Sequence, residues 1–222
     1  MENNQVKTAL ITGASSGIGL ELTKCFARDG HTVIMVAHHE DKLRDAAQQI
    51  QGEFPNVEVH VLALDLSQDG AAAELYSQVQ SRGWQVEYLV NNAGFGERGL
   101  FLETDLEKEI AIIHLNIISL VALTKYFMKE MVARGSGRIL QLGSVASFIP
   151  HPLLSVYAAS KAFVLHFSEA LQHELKDTPV TMSVLCPPPT ETNFFEVANM
   201  ENTKIANSSQ VMPADEVAQA GY

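Results

Sequence analysis

Short runs of β-branched and other apolar residues recur along the chain, separated by longer segments in which apolar positions repeat with helical spacing. The runs cover residues 8–12, 32–37, 57–64, 88–90, 138–142 and 180–186. They are nearly continuous in Val, Ile, Leu and Ala, which is typical of strands covered on both faces. This alternation predicts an α/β protein with a three-layer, doubly wound parallel sheet.

The pattern also predicts a single domain over residues 1–222, because no repeat or linker divides it and 46% apolar residues suffice for one core. The polar stretch 199–210, which follows a cluster of prolines, predicts a mobile loop. A short helical pattern then begins at Pro213 and stops at Tyr222. A helix this short is marginal alone, so it either docks tightly or the natural chain continues, and we expect a truncated C-terminus.

The formal net charge is −11 and the pI is near 5.1, and no run of Lys or Arg could follow a phosphate backbone, so nucleic acid is not expected as a partner. Cys25 and Cys186 lack the spacing of a metal site or a CxxC motif, so we expect no bound metal and a reducing compartment. The N-terminus lacks the basic and apolar regions of a signal peptide, which predicts a cytoplasmic protein.

The most apolar segment, residues 110–123, is 14 residues long and contains His114, Asn116 and Ser119. It is shorter than the ~20 apolar residues of a membrane-spanning helix, so we predict no span. The segment is expected to form a helix that is buried on most sides, either in the core or in an interface between subunits.

A glycine-rich turn joins the first strand to a helical segment. The residues with candidate roles in this turn are Gly13, Ser15, Ser16, Gly17, Ile18 and Gly19. Glycines allow the backbone to approach a pyrophosphate closely, and the free N–H groups of a helix start attract negative charge. The turn therefore predicts a dinucleotide-binding loop, although its glycine spacing differs from G-x-G-x-x-G and a purely structural turn is the alternative.

The end of the second strand bears on which dinucleotide is bound. A carboxylate there would hold a free ribose 2′-hydroxyl, whereas a cation would hold a 2′-phosphate. The residues present are His38 and His39, with no Asp at the turn, which favours NADP(H) over NAD(H). Both imidazoles change charge near neutrality and could contact a phosphate; the alternative is that both are ordinary surface histidines.

Tyr157 and Lys161 are four residues apart in a helical pattern, so both side chains rise from one face, one turn apart. A phenol has a pKa near ~10, and a neighbouring ammonium favours its ionised form, so the pair could move a proton near neutrality. The same spacing also occurs on ordinary solvated helix faces, and the motifs around the pair decide between the two interpretations.

In their order along the chain, these motifs resemble the short-chain dehydrogenase/reductase family, over nearly the whole sequence. Besides the glycine loop, the resemblance rests on Asp65-Leu66, Asn91-Asn92-Ala93-Gly94, Asn116, Ser144, Tyr157, Lys161 and the segment 187–192. It implies a single Rossmann-type domain, hydride transfer at a nicotinamide, and a homodimer or homotetramer in which the apolar helix 110–123 pairs subunits.

The resemblance also implies roles for individual residues. Tyr157 would act as general acid or base, with Lys161 lowering its pKa and holding the nicotinamide ribose. Ser144 would bind the substrate oxygen, and Asn116 would complete a water relay to Lys161. Further cofactor contacts would come from Asp65, Leu66, Asn92, Ala93, Gly94, Pro187, Thr190 and Thr192.

One departure from the family pattern is Pro188, where the family commonly has Gly. Proline cannot adopt a positive φ, so either the nicotinamide pocket is altered or an extended proline run preserves its path. Loops 95–101 and 145–154 are rich in apolar residues, as is the chain from Phe194 onward, which predicts a mostly apolar carbonyl or alcohol substrate. The sequence thus predicts an NADP(H)-dependent oxidoreductase; the alternative is a catalytically impaired cofactor-binding sensor or regulatory protein.

Overall fold

A computed structural model of the protein describes residues 6–201, 203 and 211–222. Most of the stretch 199–210 lies outside the described residues, so the mobile loop expected there stays a prediction. In the described part, strands alternate with helices in the order that the apolar runs predict, and the strand ends agree with that pattern within two residues.

The strands are β1 (Thr8–Thr12), β2 (Thr32–Ala37), β3 (Val59–Ala63), β4 (Val86–Asn91), β5 (Arg138–Leu142) and β6 (Thr181–Leu185). The α-helices are α1 (Gly17–Arg28), α2 (Glu40–Glu53), α3 (Ala71–Ser81), α4 (Leu106–Ile113), α5 (Leu120–Arg134), α6 (Ser155–Glu174), α7 (Phe194–Val197) and α8 (Ala214–Gly221). A π-helical turn, His114–Ser119, joins α4 to α5, and a 3₁₀ turn, Val145–Ser147, follows β5.

The strands are parallel and lie in the order β3-β2-β1-β4-β5-β6. In the central strand β1, Leu10 pairs with Ile34 of β2 on one side and Leu89 of β4 on the other. With helices on both faces, the predicted three-layer doubly wound sheet is confirmed. The strand order reverses between β1 and β4, and sheets of this kind bind ligands in the crevice at that point, beyond the carboxyl ends of the strands.

Two apolar clusters fill the space between the sheet and its helices, one on each face. Successive strand residues point to opposite faces, so Leu10 enters one cluster with Leu89 and Phe127, whereas Ile11 enters the other with Leu22. Each of these side chains is at most 1% exposed. Truncation of any one to alanine would cost roughly 2–5 kcal/mol of stability.

The apolar segment 110–123 belongs to a longer helix than its pattern predicted. Through α4, the π-helical turn and α5, the helix runs for 29 residues, and its most apolar 18-residue stretch has a mean hydropathy of 1.7. By length and composition it could cross a membrane, which is weak evidence because core helices share these properties. That stretch is 39% buried, with Ile110 and Ile118 each 46% exposed. Within one chain, one apolar face is therefore uncovered, so the helix is not buried on most sides in the core, and burial in an interface between subunits stays a prediction.

The short C-terminal helix α8 docks against α1. The Tyr222 ring meets the Phe26 ring edge to face, with centroids 4.9 Å apart, and its hydroxyl donates a 2.6 Å hydrogen bond to the Asp29 carboxylate. Val217 and Ala218 are buried on the inner side of α8. Tight docking is therefore observed, and packing stabilises a helix that propensity alone would not. The expected truncation of the C-terminus stays a prediction.

Candidate active site

A cavity of about 660 Å³ lies at the carboxyl ends of the strands, where the strand order reverses. Its walls include every predicted site residue except Gly19 and Asn116. These are Gly13, Ser15, Ser16, Gly17, Ile18, His38, His39, Asp65, Leu66, Asn92, Ala93, Gly94, Ser144, Tyr157, Lys161, Pro187, Thr190 and Thr192. Residues from most of the length of the chain thus meet in one place.

The glycine loop has the geometry of an anion site. Gly13 and Gly17 have φ angles of +67° and +54°, and a Cβ on Gly13 would lie 2.7 Å from the Asn92 side-chain nitrogen. Helix α1 begins at Gly17, and the Ser16 side chain makes no capping hydrogen bond. The first N–H groups of α1 are therefore available to a negatively charged group in the cavity.

Gly19 has a different role from the predicted one. It lies outside the cavity wall, where a Cβ would overlap the Gly13 carbonyl oxygen and lie 2.5 Å from the Asn92 side-chain nitrogen. Gly19 therefore allows α1 to pack closely on the loop and does not itself face the cavity. Motif spacing alone does not separate these two uses of glycine.

The hydroxyl of Thr12 joins the loop to β4, a role that the sequence analysis missed. It accepts hydrogen bonds from the backbone N–H groups of Asn92 (3.0 Å) and Ala93 (2.9 Å) and donates to the Val90 carbonyl oxygen (3.3 Å). The Asn92 side chain returns a 2.8 Å hydrogen bond to the Thr12 carbonyl oxygen. The ends of β1 and β4 are thereby held at a fixed separation.

His38, His39 and Lys42 form a cluster where β2 ends and α2 begins, and all three line the cavity. The two imidazole centroids are 3.7 Å apart. Burial lowers the pKa of His38; His39 acts in the same direction, and Asp65 opposes both. Lys42 was missed from the sequence, although its place three residues after His39, in the first turn of α2, was a usable signal.

Asp65 and Leu66 line the cavity next to this cluster. The Asp65 carboxylate accepts hydrogen bonds from the Ser67 backbone N–H (3.0 Å), the Ser67 hydroxyl (2.7 Å) and the Gln68 amide (3.0 Å). Burial opposes ionisation, but these hydrogen bonds hold the pKa of Asp65 below its usual value. Asp65 is therefore an oriented anion at this end of the cavity.

Asn116 lies in the π-helical turn and is fully buried. Its side-chain oxygen accepts from the Phe95 N–H (3.3 Å), and its nitrogen donates to the Phe95 carbonyl (3.1 Å) and the Ser160 hydroxyl (3.0 Å). Ser160, which the sequence analysis missed, donates in turn to the Tyr157 carbonyl (2.7 Å). The buried amide is satisfied, as its surroundings require, and connects the loop after β4 to α6.

The phenol of Tyr157 lies in the cavity, with the Ser144 side chain as its polar neighbour. Its ring packs on Phe194, with centroids 5.0 Å apart. Burial raises the pKa of Tyr157 to about 12, although the hydrogen bond with Ser144 acts to lower it. The phenol is therefore protonated at neutral pH.

Lys161 lies one turn further along α6, with its nitrogen 5.9 Å from the centroid of the Tyr157 ring. It donates a 2.8 Å hydrogen bond to the Leu142 carbonyl oxygen at the end of β5. Burial lowers the pKa of Lys161 to about 8, which Cys186 partly opposes. The expected lowering of the Tyr157 pKa by Lys161 is not observed, because burial of the phenol dominates and the ammonium hydrogen-bonds to Leu142.

The model of the short chain dehydrogenase family matches residues 7–203. The chain belongs to this family. Similar curated proteins include the very-long-chain 3-oxoacyl-CoA reductase of Mycosarcoma maydis, 33% identical over 92% of this chain, and the 17-beta-hydroxysteroid dehydrogenase type 3 of Mus musculus, 34% identical over 90%. The chain spans 57% and 65% of the lengths of these relatives.

Similar solved structures carry the same fold. The short-chain dehydrogenase from Sphingobium yanoikuyae in complex with NADPH superposes with a TM-score of 0.89 at 32% identity, over 97% of this chain and 82% of that chain. The L-sorbose reductase from Gluconobacter frateurii, complexed with NADPH and L-sorbose, has a TM-score of 0.85 at 26% identity, over 97% and 88%.

The segment 187–189, a run of three prolines, is held by hydrogen bonds to its carbonyl groups. The Pro187 carbonyl accepts from the Val145 N–H (3.0 Å), that of Pro188 from the Thr190 hydroxyl (2.8 Å), and that of Pro189 from the Met212 N–H (2.9 Å). The structure thus favours the alternative in which the proline run keeps an ordered path along the cavity.

The cavity wall around Tyr157 is apolar. Leu154, Ala198 and Met200 form a small buried cluster against which Tyr157 and Phe194 pack. Gly96 lies on the Tyr157 ring, since a Cβ there would be 3.0 Å from two ring carbons. The surroundings of the phenol therefore suit an apolar molecule that carries one polar reacting group.

Proposed function

We propose that this short-chain dehydrogenase is an NADP(H)-dependent oxidoreductase acting on a carbonyl or secondary alcohol of a mostly apolar small molecule. The observation that carries the proposal is one cavity that joins the glycine loop to Ser144, Tyr157 and Lys161. When bound, the nicotinamide supplies or accepts the hydride, so the protein has to bind, orient and move a proton.

The cavity fits a dinucleotide in volume and in donors. About 660 Å³ is within the usual range for ligand sites, and the start of α1 offers N–H groups to a pyrophosphate. The cofactor contacts that we propose are Gly13, Ser15, Ser16, Gly17, Ile18, His38, His39, Asp65, Leu66, Asn92, Ala93, Gly94, Lys161, Pro187, Thr190 and Thr192. NADP(H) is favoured because Lys42 joins the two histidines where a 2′-phosphate would need a cation.

Tyr157 is proposed as general acid in reduction and general base in oxidation. A phenol with a pKa of about 12 holds its proton at neutral pH, which suits donation to a developing alkoxide. The Ser144 hydroxyl would bind the same oxygen as charge develops on it. A 3.1 Å hydrogen bond from the Ala146 N–H holds that hydroxyl in place.

Lys161 and Asn116 are proposed to resupply the proton. A Cβ on Gly94 would lie 3.0 Å from the Asn116 side-chain oxygen and 3.2 Å from the Lys161 nitrogen, so glycine keeps the space beside both groups free. With its pKa lowered to about 8, Lys161 exchanges protons readily near neutrality. A water relay from Asn116 to Lys161 would then reprotonate Tyr157.

The substrate class rests on the apolar wall around Tyr157. Two similar proteins are named for 3-oxoacyl-CoA and for hydroxysteroids, which combine a carbonyl or hydroxyl with a large apolar body. We also propose a homodimer or homotetramer in the cytoplasm. The exposed apolar face with Ile110 and Ile118 would be buried between subunits, and the two free cysteines suit a reducing compartment.

The test is a fluorescence titration with NADPH and with NADH, followed by addition of apolar ketones and aldehydes to the tighter complex. We expect tighter binding of NADPH and its oxidation by at least one carbonyl. NADPH binding without turnover on any carbonyl would instead support a cofactor-binding regulatory protein. Failure to bind either cofactor would refute both.

A further inference from the structure

The 3₁₀ turn after β5 places a buried serine between two parts of the proposed catalytic set. Ser147 is 6% exposed; its hydroxyl donates a 2.8 Å hydrogen bond to the Lys161 carbonyl oxygen and accepts a 3.2 Å hydrogen bond from the Ser144 N–H. One hydroxyl therefore ties the backbone of Ser144 to the backbone of α6 at Lys161.

This tie bridges a connection that is poorly suited to fix the distance between Ser144 and α6. In residues 148–153, Phe148 and Ile149 are 63% and 62% exposed, and Leu153 has a φ of +68°, which is unfavourable for leucine; the next residue, Leu154, is buried. A connection with so little buried surface opens easily. The separation of its two ends is therefore set by contacts across the gap.

We propose that Ser147 is a positioning residue that holds the Ser144 hydroxyl at its working distance from Tyr157 and Lys161. The inference rests on the proposed function, because it concerns the geometry of that proton transfer. Ser147 does not line the cavity, so it acts through Ser144 and not on the substrate.

Removal of the Ser147 hydroxyl would leave the buried Ser144 N–H without its acceptor, which is costly. The turn would shift to find another partner, and the Ser144 hydroxyl would move with it, away from the Tyr157 phenol. The glycine loop lies at the other end of the cavity, so the affinity for the cofactor should change little. The loss should therefore fall on the chemical step.

The test compares Ser147→Ala with Ser168→Ala. Ser168, on α6, is likewise a buried serine, but its hydroxyl donates to the Val164 carbonyl (2.7 Å) within the same helix. Ser147→Ala should lower kcat about tenfold, with the KM for substrate and the Kd for NADPH changed less than about threefold. Ser168→Ala should lose comparable stability with kcat within about twofold of wild type.

Two further readouts separate positioning from general destabilisation. Ser147→Thr restores a hydroxyl and should recover about half of the lost kcat or more. In the oxidative direction Tyr157 acts as a base, so kcat should rise with pH. This rise should move to higher pH in Ser147→Ala only, because the Ser144 hydrogen bond that lowers the Tyr157 pKa is weakened.

Equal kcat losses in the two alanine variants, or full activity in Ser147→Ala, would overturn the inference and leave the proposed function standing. A wild-type protein that binds NADPH but reduces no carbonyl would overturn both.

Discussion

The cofactor end and the substrate end of the cavity are built in different ways. At the cofactor end, Thr12 and Asn92 join β1 to β4 through hydrogen bonds of 2.8–3.0 Å that involve the backbone of both strands. The loops that flank the substrate end are held less tightly: Leu153 has a φ of +68°, and Leu102 and Phe148, which do not line the cavity, are 95% and 63% exposed. A rigid end and a more adaptable end share one cavity.

The difference shows what a short motif can encode. Where backbones pack directly against each other, only glycine and a few small polar residues fit, so the sequence carries a readable signature. Where a wall consists of side chains from distant loops, many residues can fill the same space. The identity of the substrate is therefore far harder to infer than that of the cofactor.

The largest effect is expected at the chemistry between the two ends. Tyr157→Phe keeps the ring contact with Phe194 but removes the phenolic hydroxyl. Turnover should therefore fall about a thousandfold, while the Kd for NADPH changes less than about twofold. Tyr126→Phe is the matched control, since Tyr126 stacks on Tyr76 outside the cavity. Steady-state kinetics measure turnover, and NADPH titration measures the Kd. An active Tyr157→Phe enzyme would contradict the proton-transfer role.

One added methyl group at Gly19 should destabilise the cofactor end of the cavity. Gly19→Ala would press a Cβ on the Gly13 carbonyl oxygen, so we expect a loss of about 2 kcal/mol in the free energy of unfolding and at least about tenfold weaker NADPH binding. Gly52→Ala, on α2 with no atom within 4 Å of the added Cβ, should instead stabilise by about 0.5–1 kcal/mol. Denaturant unfolding measures both, and a Gly19→Ala protein as stable as wild type would contradict the packing role.

A smaller effect is expected at Lys42, where it would test whether the cofactor end binds a 2′-phosphate. Lys42→Met should weaken NADPH binding about tenfold and leave NADH binding unchanged, because the charge-assisted contact with a 2′-phosphate is lost. Arg44→Met is the control, because Arg44 is paired with Glu40 at 2.6 Å on the surface of the same helix. An equal loss of NADPH and NADH affinity in Lys42→Met would argue against a phosphate site there.

The smallest effect concerns pH. Burial, His39 and Lys42 favour neutral His38, and Asp65 opposes them, so His38 becomes a cation only below its lowered pKa. A cation holds a 2′-phosphate better, and so the ratio of NADPH to NADH affinity should fall about threefold from pH 6 to pH 8. Titrations of wild type and His38→Gln measure this; a flat ratio in wild type would remove His38 from the phosphate site.

Much of the fold and of the candidate site could be predicted from the sequence, whereas contacts between elements could not. The strands were found within two residues, and Ser144, Tyr157 and Lys161 line one cavity as the order of the motifs indicated. Ser147 lies in the turn after Ser144, and Ser160 lies on α6 between Tyr157 and Lys161. Each forms a hydrogen bond with a residue far along the chain: Ser147 with Lys161, and Ser160 with Asn116. No periodicity reveals such a hydrogen bond.

By itself, the sequence determined which segments become strands and helices and where backbone must approach backbone, because hydrophobic periodicity and glycine sterics act locally. Only the tertiary structure decided that Gly19 packs outside the cavity and that the pKa of Tyr157 is raised. Burial and the direction of a hydrogen bond depend on elements far apart in the chain. For Tyr157, the loss of water around the phenol outweighs a cation 5.9 Å from its ring.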